Sequence, residues 1–179
     1  MKQITIEIPD GKEAKWVNGV LTLVDEKPKD ITERIKTFHD AYCELGNEHP
    51  FVKSYEQYVN TASGEETDVI AYLKLRIIAA ALNEGWEPKF EKGEYRYFPW
   101  FYLCTKEQHD ELDDEKKMRC VLRSGHNTYS YFGFVFCNGD YGASHSNASF
   151  GSRLAFRTHK LAEYAGKQFT EEWADFMFK

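Results

Sequence analysis

The chain has 179 residues, a formal net charge of −6 and an aromatic share of 16%. That length suits one domain with a real core, and so many rings exclude a disordered chain. The negative charge argues against a dedicated double-helix binder, and no membrane partner is expected, since the best apolar run, Val69 to Leu82, is interrupted by Lys74 and Arg76.

The amino terminus lacks a continuous apolar run, so no signal peptide is expected. Ile4, Ile6 and Ile8 alternate with polar residues, and Pro9-Asp10-Gly11 reads as a turn. Trp16-Val17 and Val20-Leu21 flank Asn18-Gly19, the strongest short hairpin signal. Residues 1–25 therefore read as a β-hairpin arm. The charged run from Asp25 to Lys29 reads as a linker into a single α+β domain over 26–179.

Asp30, with Glu33 three residues on, predicts a capped helix start. Ile31, Ile35, Phe38, Tyr42 and Leu45 keep helical spacing, and Gly46 is the natural stop, so one helix is expected over 30–45. Pro50 opens a second helix, which Ser63-Gly64 should break. A third, from Thr67 or Asp68 to Glu84, is apolar nearly all round and reads as the central core helix.

Beyond Trp86 the pattern turns to strands. Tyr95 to Phe98 and Trp100 to Leu103 are aromatic strands that Pro99 should break, which places the proline at an edge or bulge. Thr105 to Met118 is highly charged and reads as a surface loop or short helix. Arg119 to Arg123 and Thr128 to Phe136 return to strand, with Phe132, Phe134 and Phe136 on one face. Asn138-Gly139-Asp140 should turn the chain, because Asn and Gly accept positive φ. Ser144 to Ser149 reads as a loop. Leu154 and Phe156 should face the core, and Thr158 should cap a helix carrying Leu161, Tyr164, Ala165 and Gln168 on one face. Helices and strands are segregated along the chain. The fold class is therefore α+β, an antiparallel aromatic-rich sheet with helices packed on it and an amino-terminal hairpin.

Candidate chemistry is sparse. Cys43, Cys104, Cys120 and Cys137 lie in no metal-type spacing and read as free thiols, so no metal and no cofactor is expected. The six histidines are scattered, and His126 and His145, near Ser124, Ser144 and Ser146, lack an orienting group or an oxyanion site. No catalytic residue is assigned. Phe132 to Val135 matches the middle of the RNA-recognition strand motif but fails at both ends. From Ser124 to Phe150 there is no Lys, Glu, Gln, Met or Trp, while Ser, Asn, Tyr, Gly and His abound. That palette is shared by adaptable binding loops and by ordinary strand-and-turn segments. A contact surface over 138–147 would be led by Tyr141 and His145, with Asn138 at its start. Arg153 has a structural reading, holding carbonyls or a carboxylate, and a binding one.

The string GSRLAFRTHKLAEYAGKQFTEEWADFM resembles the carboxyl end of a group of small uncharacterised phage and prophage proteins. IEIPDGKEAKWVNGVLTLVD and LRIIAAALNEGWEP resemble the same group, so the likeness covers roughly half the chain. It implies a phage-related context, with a cytoplasmic location in a bacterial host or association with the virion, and no activity. The expected function is a non-enzymatic binding or structural protein that meets a macromolecule, protein or glycan, through its carboxyl half. One alternative is a single-stranded nucleic-acid binder. Arg119, Arg123, Arg153, Arg157 and Lys160 meet only Asp140 among acids between 119 and 160, in a region rich in rings. The other is an enzyme whose site does not show in sequence.

Overall fold

β1 (Lys12–Val17) and β2 (Val20–Asp25) form an antiparallel hairpin that turns where Val17 faces Val20. Asn18 and Gly19 take φ of 49° and 79°, the two left-handed residues that a type I′ turn requires. The turn at Pro9 to Gly11 is closed by the Lys12 N–H donating to the Pro9 carbonyl at 3.1 Å. Residues 5–9 lie outside any strand, contrary to the alternation, and Ile6 and Ile8 are exposed. Alternation needs a ladder partner to become a strand, and among the described residues the hairpin has no third strand. This computed structural model describes residues 5–61, 67–89, 91–118, 120–124, 131–143 and 154–178, with the backbone alone for Lys106, 122–124 and 131–143. The expected break at Ser63-Gly64 and the loop 144–149 lie outside the described residues.

The helix expected over 30–45 is two helices, α1 (Ile31–Arg34) and α2 (Phe38–Leu45). Asp30 caps the first, accepting from the Thr32 N–H at 2.9 Å. The break comes from Thr37 and Asp40, a second capping box inside the apolar pattern. Thr37 Oγ1 accepts the Asp40 N–H at 3.1 Å, and Asp40 Oδ2 accepts the N–H groups of Thr37 at 2.8 Å and Lys36 at 3.0 Å. Those bonds compete with a continuing helical ladder and win. Two carbonyls at the break find partners on a distant helix: Tyr164 Oη donates to Ile35 O at 2.5 Å, and Gln168 Nε2 to Lys36 O at 2.8 Å.

α3 (Pro50–Thr61) follows, then α4 (Thr67–Leu82), which buries Ala71, Leu75, Ile77, Ile78, Ala79, Ala81 and Leu82 and is the central core helix as expected. α4 packs on α2, α3 and the last helix. The sheet is β3 (Tyr95–Thr105), β4 (Cys120–Ser124) and β5 (Tyr131–Ala143), antiparallel in the order β3-β5-β4. Between β3 and β4 lie two short helices with mostly exposed residues, α5 (Lys106–Asp110) and α6 (Asp114–Met118). α7 (His159–Gln168) and α8 (Thr170–Phe178) close the chain. Thr158 caps α7, and Phe156, Phe169 and Trp173 are fully buried in the core.

Two expectations about the sheet are corrected. Pro99 does not break β3, because β3 is an edge strand. Tyr97 turns its N–H and C=O outward to Phe156, at 3.0 and 2.8 Å, and Pro99, two residues on, also faces outward, where a missing N–H costs no bond to β5. Nor does Asn138-Gly139 turn the chain. β5 runs through it, with Asn138 opposite Trp100 and Gly139 opposite Pro99. The register shifts between Trp100 and Phe101, so Cys137 is the unmatched residue of a bulge. The long ladder offered by β3 outweighs the local turn preference.

Candidate functional site

Tyr97 sits at the centre of the carboxyl-half ladder, with the backbone of Tyr141 opposite it on one side and Phe156 on the other. Asn138 and Tyr141 are therefore strand residues, and the contact loop expected to begin at 138 is strand as far as Ala143. Their side chains, and His145 and Arg153 altogether, lie outside the described residues. Trp100, opposite Asn138, is 52% exposed, and Tyr102, next along the same face of β3, is 46% exposed. Two large amphipathic rings thus stand open on the sheet. Tyr95 and Leu103, also exposed, lie on the other face.

The basic residues of this region are partly spoken for. Arg157 Nη2 meets Glu84 Oε2 at 2.6 Å, and Lys160 Nζ lies 3.5 Å from Asp30 Oδ2. Glu84 also holds Arg34 at 3.0 Å, Arg34 reaches Glu44 at 3.3 Å, and Glu44 holds Lys27 at 3.0 Å. The two arginines keep the Glu84 carboxyl below its ordinary range. This chain of alternating charge ties the linker, α1, α2 and the end of α4 to the segment before α7. Arg119 and Arg153 are outside the described residues, and Arg123 is described by its backbone alone, so a single basic surface is not assembled from these positions.

A cavity of about 430 Å³ opens beside the start of α3, α4 and the segment after it. His49, Phe51, Arg76, Asn83, Trp86 and Glu87 line it, with Leu45, Ala80 and Pro88. His49 is the residue before α3 and caps it: its Nδ1 accepts the Phe51 N–H at 3.2 Å, and its carbonyl accepts the Lys53 N–H at 3.0 Å. The neutral ring then carries its proton on Nε2. Burial pushes the His49 pKa below the ordinary imidazole value, against the opposing pull of Glu87. The Arg76 guanidinium lies 3.9 Å from the centre of the Phe51 ring, and the His49 ring packs edge-on at 5.0 Å from the same centre.

Sequence reasoning passed over this cavity. Its one signal was Arg76, a permanent charge that, with Lys74, interrupts the apolar run of α4; His49 and Trp86 fall in connections whose meeting depends on how α3 and α4 pack. Among the described residues no group of three or more His, Cys, Asp or Glu is placed to hold a metal, and no helix is long and apolar enough to cross a membrane. Compared with known protein families, curated proteins and solved structures, the chain matches none.

Proposed function

We propose that this is a non-enzymatic, phage-related binding protein that recognises a protein partner through the sheet of its carboxyl half. The phage context is supported by the resemblance of the GSRL and AEYAGKQF segments. The observation that carries the binding reading is the pair Trp100 and Tyr102, both about half exposed on one face of β3. Large rings with a polar tip are the residues that most often anchor protein interfaces. Asn138 stands opposite Trp100, which keeps that position beside the ring. A single-stranded nucleic acid is the weaker reading, since Arg157 and Lys160 already have acidic partners and the chain carries a net charge of −6.

The test measures binding of the purified protein to each product of its neighbouring genes, to a glycan array and to a fluorescent oligothymidylate. One protein partner should bind, and Trp100→Ala should weaken it by about tenfold or more. Binding that is indifferent to Trp100→Ala and Tyr102→Ala overturns the assignment of the surface. Salt-sensitive binding of the oligonucleotide, or binding of a glycan alone, overturns the partner class.

A further inference from the structure

We propose that the outer edge of β1 is a pairing surface for a second copy of this chain, which joins two hairpins into one antiparallel sheet. It is a separate surface from the sheet of the carboxyl half. Among the described residues β1 pairs with β2 alone, so its other edge carries no strand. The Glu26 N–H donates to Gly11 O at 2.9 Å, which makes these two a hydrogen-bonded pair just outside the ladder. Alternation along the ladder then turns the backbone groups of Lys12, Ala14 and Trp16 away from β2.

The charged side chains select the partner and the register. With Ala14 on a two-fold axis, antiparallel β1 strands set Glu13 opposite Lys15 of the second copy, and Lys15 opposite its Glu13. Glu13 and Lys15 already meet within one chain, so carboxylates and ammoniums alternate around the axis. The neighbouring registers do the reverse. An axis at position 13 sets Glu13 on Glu13, and one at position 15 sets Lys15 on Lys15. In the complementary register the Ala14 N–H donates to Ala14 O of the other copy and the Trp16 N–H to its Lys12 O, each twice by symmetry. The Lys12 N–H stays on Pro9 O. The β2 edge, Val20 to Val24, carries no charge and selects neither partner nor register.

Pairing also accounts for the apolar face of the hairpin. Ala14, Trp16, Leu21 and Leu23 share that face, and Trp16 is largely exposed on it. Two strands gain little stability alone, whereas three or more with an apolar face hold together. In the joined sheet β1 becomes an inner strand, and Trp16 stands opposite Lys12 of the second copy, whose stem and ammonium suit an indole face.

Sedimentation velocity at low ionic strength reads the association. Wild type should pass from monomer to dimer with a Kd of about 10–500 μM, the weak range of a small interface. Ala14→Pro removes only an outward N–H and should raise that Kd at least about tenfold. The double exchange Glu13→Lys with Lys15→Glu keeps the net charge and the opposite-charge pair within each hairpin. It should dimerise like wild type. Mixed dimers with wild type should fall at least about fivefold below their statistical share, read by energy transfer between labelled copies. A wild type that stays monomeric at about 1 mM overturns the proposal. So does a dimer that survives Ala14→Pro unchanged, one lost in the double exchange, or mixed dimers at the statistical share.

Discussion

Asn83 and Ala155 stand 72 positions apart and are joined by a buried hydrogen bond, Asn83 Nδ2 donating to Ala155 O at 2.8 Å. The same carboxamide accepts the Arg157 N–H at 3.0 Å. Phe156, between them, turns its own N–H and C=O the other way, to Tyr97. One side chain at the end of α4 thus plays the part of a neighbouring strand and ties the helical layer to the edge of the sheet. Asn83→Ala leaves a buried carbonyl and a part-buried N–H without their partner. The expected cost is about 2–4 kcal/mol in urea unfolding. A loss under about 1 kcal/mol would mean that water takes the place of the amide.

Glu84, the next residue, has a φ of 49° and is held by Arg34 and Arg157. Its folded pKa is lowered from 4.5 by those hydrogen bonds. A carboxyl with a depressed folded pKa stabilises the fold above its unfolded pKa, and that contribution is lost as pH falls through the folded value. Glu84 and Arg157 are both more than a third exposed, so solvent screening limits the effect to about 1 kcal/mol or less. Glu84→Gln keeps the backbone strain and removes the charge. The stability gap between wild type and variant should be flat from about pH 6 to 8 and narrow below about pH 4.5. A gap that persists unchanged to about pH 3 would assign the loss to packing rather than charge.

Tyr164 and Gln168 receive the carbonyls left at the break between α1 and α2. Tyr164→Phe removes the donor to Ile35 O and keeps the ring, so it should cost about 1–2 kcal/mol in the same unfolding measurement. Gln168→Met should cost less, because its bond to Lys36 O is exposed. If Tyr164→Phe proves neutral, the ring alone secures α7 against α1.

Much of this architecture was legible because local chemistry and tertiary structure agree. Asn18-Gly19, Gly46, Thr158 and the apolar run of α4 each did what their spacing implies. The departures have one cause in common, a stronger competitor further along the chain or across the fold. Thr37-Asp40 competes with the helical pattern around it, and β3 competes with the Asn138-Gly139 turn. The cavity was hidden for another reason: His49, Arg76 and Trp86 acquire a shared meaning only once α3 and α4 are packed. Of the binding residues read from sequence, Asn138 and Tyr141 have their backbone fixed in β5, while His145 and Arg153 lie outside the described residues.

The hairpin of β1 and β2 provides the last prediction. Trp16 and Val20 are 74% and 64% exposed, and the hairpin forms a sheet separate from β3-β5-β4. A two-stranded hairpin gains little stability from its own ladder. Its amides should therefore exchange with solvent through local openings costing about 0–2 kcal/mol, well below those of α4. Gly19→Ala sharpens the test. The added Cβ meets nothing within 4 Å, so the cost comes from the backbone, which sits at a φ of 79°. That cost, about 1–2 kcal/mol, is enough to open an isolated hairpin. Protection of β1 and β2 should vanish in Gly19→Ala while the thermal midpoint of the remaining fold stays within about 1 °C. A midpoint lowered by about 4 °C or more would show that arm and body unfold together, and that residues 1–25 are part of the domain.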